Sequence, residues 1–97
     1  MNNLTLVDLF LNEYWIEKGL SENTVQSYRL DLTALCDWLD KQNLSLETLE
    51  PLDLQQFLGS RLEQGYKATS TARMLSAMRK LFQYLYREKY RTDDPSA

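Results

Sequence analysis

The chain has 97 residues, about two thirds of a typical ~150-residue domain, so it holds one compact core and leaves no room for a second domain. Hydrophobic residues make up 43% and charged residues 26%, with three Gly and two Pro, a balance that excludes disordered, collagen-like and linker-array chains. One Cys and no His exclude an intramolecular disulfide, a Cys/His zinc cluster and an imidazole base, and the net charge of −3 conceals a strong polarity along the chain.

Residues 1–60 carry ten acids against Lys18, Arg29 and Lys41, net −7, whereas residues 61–91 carry eight basic residues against Glu63 and Glu88, net +6; Asp93 and Asp94 follow. An acidic first half and a basic last third predict a cationic face that the overall charge hides. No apolar run exceeds three residues, far short of the ~20 that span a bilayer, and the first residues lack a basic, apolar leader. The expectation is a soluble, cytoplasmic protein.

The first predicted element starts at Thr5, an N-cap with Asp8 three residues on, carries Val7, Leu11, Tyr14 and Trp15, and stops at Gly19. Ser21 caps a second helix, with Glu22 in its first turn and Val25, Tyr28, Leu32, Leu35 and Leu39 spaced by three and four, ending near Gln42 or Asn43. After a break from Leu44 to Glu50, Pro51 suits the first position of a shorter helix bearing Leu54, Phe57, Leu58 and Leu62 and closed by Gly65. A fourth helix begins at Thr69 or Ser70, presents Leu75, Met78, Phe82 and Leu85 with Leu81 broadening the face, and runs to about Lys89. Arg91 to Ala97 has no apolar period and reads as an exit linker. No stretch alternates with period two, so the architecture is four helices around one core.

Carboxylates and hydroxyls fall mainly at caps and solvent positions, which argues against a complete active site in this chain. Cys36 lies beside the stripe of the second helix and reads as a packed thiol. Most of the six tyrosines, and Trp15 and Trp38, read as core or rim residues. Binding chemistry is better supported. Lys67, Thr69, Ser70, Thr71 and Arg73 put cations, hydroxyls and free N–H groups at a helix N-terminus, which suits phosphate oxygens; the alternative is a simple Ser/Thr cap with a solvated Arg73. Arg79 and Lys80 extend the basic character, while Arg87, Lys89 and Arg91 read as partners of the C-terminal dipole. Thr24, Gln26, Ser27 and Arg29 offer reach toward phosphates or base edges, although a solvated first turn would look the same.

Ser21-Glu-Asn-Thr24, Tyr28-Arg-x-Asp31-Leu, the turn from Gly65 to Arg73, Leu75-Ser-Ala-Met-Arg79 and Phe82-Gln-Tyr-Leu-Tyr-Arg-Glu-Lys89 together resemble the N-terminal core-binding domain of bacterial tyrosine recombinases, over essentially the whole chain. The resemblance implies an all-α, four-helix SAM-like domain of orthogonally packed helix pairs, with residues 1–91 forming half of a DNA clamp and 92–97 starting a linker to a C-terminal catalytic domain that is absent. It implies that the second and fourth helices face the major groove, with Thr24, Gln26, Ser27, Arg29, Lys67, Thr69, Ser70, Thr71, Arg73, Arg79 and Lys80 at the DNA; Gln26 and Arg73 are the candidates for base edges. Phe10, Tyr14 or Trp15 would lie partly at a subunit interface. No tyrosine here matches the family nucleophile, and no metal or cofactor is implied. The implied partners are double-stranded DNA carrying a dif-like site, a XerC-like recombinase in a heterotetramer, and an FtsK-like DNA translocase acting through the missing domain. The alternatives are a phage or mobile-element integrase and a helical protein-interaction module without DNA binding.

Overall fold

The structure, a computed structural model, describes residues 2–97 and consists of α1 (Asn3–Lys18), α2 (Glu22–Lys41), α3 (Pro51–Glu63) and α4 (Ala68–Arg87). Among the described residues there is no strand, and no helix is long and apolar enough to cross a membrane. The chain divides into two compact units, Met1–Leu46 and Glu47–Ala97, each built on one helix pair.

In the first unit, α1 starts three positions earlier than the sequence predicts. Asn2 is the N-cap, and Thr5, the expected cap, instead donates its backbone N–H to the Asn2 side chain at 2.8 Å. Asn is the stronger capping acceptor, so the helix starts where Asn first offers one. Gly19 ends α1 in the left-handed region at φ +60, as its position predicts. Ser21 caps α2 through Thr24 N–H, and Gln42 ends it, again as predicted. The buried stripe of α1 is Asn3, Leu6, Val7, Phe10 and Leu11. Trp15, expected on it, is 44% exposed, because at about 100° per residue it lies more than a quarter turn from the stripe centre. Val25, Leu32, Leu35, Cys36 and Leu39 form the α2 contribution to the core, and Tyr14 and Tyr28 bring their rings within 6.4 Å.

Asn3 is a polar residue inside this unit, with all its hydrogen-bonding groups used. Its Oδ1 accepts from Leu46 N–H at 2.8 Å, and its Nδ2 donates to Asp40 Oδ1 at 3.0 Å and to the Leu44 carbonyl at 3.3 Å. One side chain thus ties the start of α1 to the segment that follows α2.

In the second unit, Pro51 opens α3 and Asp53 accepts from Glu50 N–H at 2.8 Å. Leu54 and Phe57 are buried as predicted, but Leu62 is 56% exposed and Arg61 takes the buried place. The spacing explains it: Arg61 is seven residues from Leu54 and four from Phe57, while Leu62 is rotated about 80° from Leu54. The α3 end is a left-handed turn in which Gly65, at φ +89, donates to the Leu62 carbonyl and Tyr66 donates to the Arg61 carbonyl, both at 3.1 Å. α4 begins as soon as that turn is complete. Lys67 is its N-cap and makes no side-chain capping bond, so Thr69 and Ser70, the expected caps, lie within the first turn. Met74, Ala77, Met78, Leu81, Phe82, Tyr84 and Leu85 form its buried face.

The segment after α4 is packed where the sequence suggests a bare exit. Arg91 is buried, donating from Nη2 to the Leu49 carbonyl at 2.7 Å and from Nε to Asp93 at 3.1 Å, with its guanidinium over the Phe82 ring. It therefore anchors the chain rather than merely offsetting the helix dipole. Pro95 is buried as well, and Asp94 accepts from the backbone and hydroxyl of Ser96.

Candidate nucleic-acid interface

The α4 sequence separates two faces. Its buried residues occupy one side, and about 100° per residue places Thr69, Arg73, Ser76 and Lys80, at spacings of four, three and four, in a single stripe on the outer side. Thr69, Arg73 and Ser76 are exposed and Lys80 is half-buried. The stripe is about 16 Å long from Thr69 to Lys80, at ~1.5 Å of rise per residue. At its N-terminal end stands exposed Lys67, and the first-turn N–H groups emerge there without a capping side chain. That end carries the positive end of the helix dipole as well as the Lys67 charge.

The remaining α4 candidates sit elsewhere. Arg79 is exposed but lies about 100° round the helix from Lys80. Ser70 and Thr71, half-buried and about 100° and 200° round the helix from Thr69, turn toward the buried side, where Thr71 Oγ1 is covered and has no hydrogen-bond partner. Ser76 was missed by the sequence reading, although its spacing from Arg73 and Lys80 carries the signal.

On α2, Gln26 and half-buried Ser27 face outward. Thr24 and Arg29 turn to the borders of the buried face and are engaged: Thr24 shares a hydroxyl contact of 3.0 Å with Ser21, and Arg29 Nη1 pairs with Asp8 on α1. Leu30, 72% exposed, lies between Gln26 and Ser27 one turn on, an apolar residue that breaks the α2 period and that the sequence reading passed over.

Three other features bear on chemistry. Burial, with the Asp40, Asp37 and Asp8 charges adding to it, pushes the Cys36 thiol up to about 12, so it packs and does not react. Phe10 is fully buried, Tyr14 is half-buried and Trp15 is exposed, so of the three residues considered for an interface Trp15 presents the most surface. Arg61, unremarked in the sequence, is 7% exposed with its guanidinium carbon 4.0 Å from the Tyr66 ring centroid.

Residues 7–89 match the family described as phage integrase, N-terminal SAM-like domain. The chain is 88% identical over all 97 residues to tyrosine recombinase XerD of Haemophilus influenzae, covering 33% of that protein. It is 74% identical over its full length to tyrosine recombinase XerD of Pasteurella multocida, covering 33% of it, and 61% identical over 92 residues, 95% of the chain, to that of Yersinia pestis, covering 31%. The chain spans about a third of the length of the curated relatives it matches.

Proposed function

The chain belongs to the phage integrase family, as its N-terminal SAM-like domain, and on that premise we propose that it is the DNA-binding third of a XerD-like site-specific tyrosine recombinase. The observation that carries the reading is the α4 stripe: Thr69, Arg73, Ser76 and Lys80 share one line along the helix outside its buried face, with Lys67 and the uncapped first turn at one end.

A stripe of about 16 Å is slightly longer than the ~12 Å width of the B-DNA major groove. Laid across it, the two ends reach phosphates on the groove walls while Arg73 faces base edges, where a guanidinium can donate two bonds to one guanine. Lys67 and the first-turn N–H groups take a phosphate at one wall, and Lys80 takes one at the other. Arg79, off the stripe, would reach only a flanking phosphate. From α2, Gln26 has the amide needed to read adenine and Ser27 reaches backbone oxygens, while Thr24 supports the helix start through Ser21 and Arg29 ties α2 to Asp8 of α1. The acidic total charge is no obstacle, because the field at the DNA is set by the nearby residues of 61–91.

In the full-length protein this domain would hold one side of a duplex at a dif-type site while a second domain performs strand exchange through a 3'-phosphotyrosyl link. A XerC-like recombinase would complete the heterotetramer and an FtsK-like translocase would act through the catalytic part, converting chromosome dimers to monomers in the cytoplasm at cell division. The test is amide NMR of the labelled chain titrated with a dif-like half-site and with a scrambled duplex at low salt. Shifts at Gln26, Ser27 and 67–80 support the reading. Shifts confined to other residues in both the chain and the full-length protein would overturn it in favour of a protein-interaction module.

A further inference from the structure

The turn that delivers α4 is built on a buried charge without a counter-ion. Arg61 is 7% exposed, its Nε has no hydrogen-bond partner, and among the described residues it has no ion pair. Its guanidinium lies between two rings, 4.0 Å from the Tyr66 centroid and 5.9 Å from that of Phe57. Its own carbonyl accepts from Tyr66 N–H. Arg61 therefore holds Tyr66 by both backbone and side chain, and the next residue is Lys67, the N-cap of α4.

A methionine or leucine at this position would make the same contact between the last turn of α3 and Tyr66 without desolvating a cation. Stacking on a ring does not replace the hydrogen bond that the buried Nε lacks. Arg61 stands in the last turn of α3, whose dipole favours a cation, and at the turn leading into the positive end of the α4 dipole and the Lys67 charge. The Arg61 and Lys67 charges and the α4 dipole together place positive potential at this turn, and an anion there would offset it.

We propose that Arg61 is a positioning residue of the DNA-phosphate site at the α4 N-terminus, fixing Tyr66 and Lys67 through its stack and adding its unneutralised charge to the field that draws a backbone phosphate there. The inference rests on the DNA-binding reading of α4. It separates stability from binding, because a neutral side chain of similar length relieves the folded state while weakening the attraction for phosphate.

The experiment compares the full-length protein with its Arg61→Met, Arg61→Lys and Arg73→Ala variants, measuring thermal unfolding and affinity for a half-site duplex across a salt series. Arg61→Met is expected to unfold no earlier than wild type yet bind about fivefold more weakly at low salt, with the gap closing as salt rises. Arg61→Lys keeps the charge but loses the planar stack, and is expected to bind more tightly than Arg61→Met and more weakly than wild type. If Arg61→Met does not fold, Arg61→Gln replaces it with the same expected loss. Wild-type binding by a folded, neutral Arg61 variant while Arg73→Ala binds weakly overturns the role of Arg61 and leaves the DNA face standing. Binding by a folded Arg61→Lys no tighter than that of the neutral variant also overturns it, since the charge is then not what acts. Wild-type binding by Arg73→Ala and the neutral variant together overturns the DNA-binding reading itself.

Discussion

Asn3 Oδ1 accepts the backbone N–H of Leu46 at 2.8 Å, joining the first turn of α1 to a residue 43 positions later. Because the Leu46 N–H is buried, removing its acceptor leaves an unsatisfied donor. Asn3→Ala is expected to cost about 1–3 kcal/mol in urea unfolding. Asn3→Asp keeps the acceptor but sets a carboxylate beside Asp40, so it should also destabilise, and by less in high salt.

Arg91 plays the matching part in the second unit. Its Nη2 bond to the Leu49 carbonyl is charge-assisted and lies in the interior, so Arg91→Ala should cost about 1.5–3 kcal/mol and raise amide exchange at 90–97. Arg91→Lys retains the charge but not the fork that serves Leu49 and Asp93 together, and should recover less than half of the loss.

Cys36 makes stability fall at alkaline pH. Its thiol is held near 12 when folded, against an ordinary value of 9.0, so between these values the unfolded chain releases a proton that the folded chain keeps. Stability from this group is full below pH ~9 and declines as pH rises toward 12. Cys36→Ala should lose the part of the alkaline decline that this thiol causes, at the cost of a small cavity, and the wild-type thiol should resist alkylation at pH 8 until the protein unfolds.

Lys89 occupies the left-handed region at φ 65, just past the end of α4, where a glycine would carry no steric penalty. Lys89→Gly is expected to raise stability by up to about 1 kcal/mol, and to leave DNA affinity within about twofold because the residue lies beyond the α4 stripe.

Helix boundaries were legible at Ser21 and Gly19, which bracket the α1–α2 turn, and at Pro51, which opens α3, but not at the start of α1, where Asn2 and Thr5 both offer a capping side chain. They were missed where the turn itself sets the start, as at Lys67, which caps α4 by geometry without a side-chain acceptor. The core was legible at apolar positions in phase, and misread at Trp15 and Leu62, which are apolar but out of phase. It was hidden at Asn3, Arg61 and Arg91, whose burial depends on partners distant in sequence or on a ring stack. The α4 stripe was half legible. Composition marked 67–80 as basic, but only the helical phase sorts Thr69, Arg73 and Lys80, which share one stripe, from Thr71, which turns inward, and Arg79, which is exposed about 100° away. On α2, the Asp8 partner of Arg29 lies 21 residues upstream, so no local pattern announces it.

The most direct test of the α4 stripe is the salt dependence of half-site binding by the full-length protein and its Arg73→Ala and Lys80→Ala variants, on the cognate and singly substituted duplexes. Lys80→Ala should weaken binding to every duplex and lower the salt slope by about one, while Arg73→Ala should lose discrimination at one base-pair position, worth about 1–3 kcal/mol. Wild-type affinity, salt slope and base preference in both variants would contradict the account.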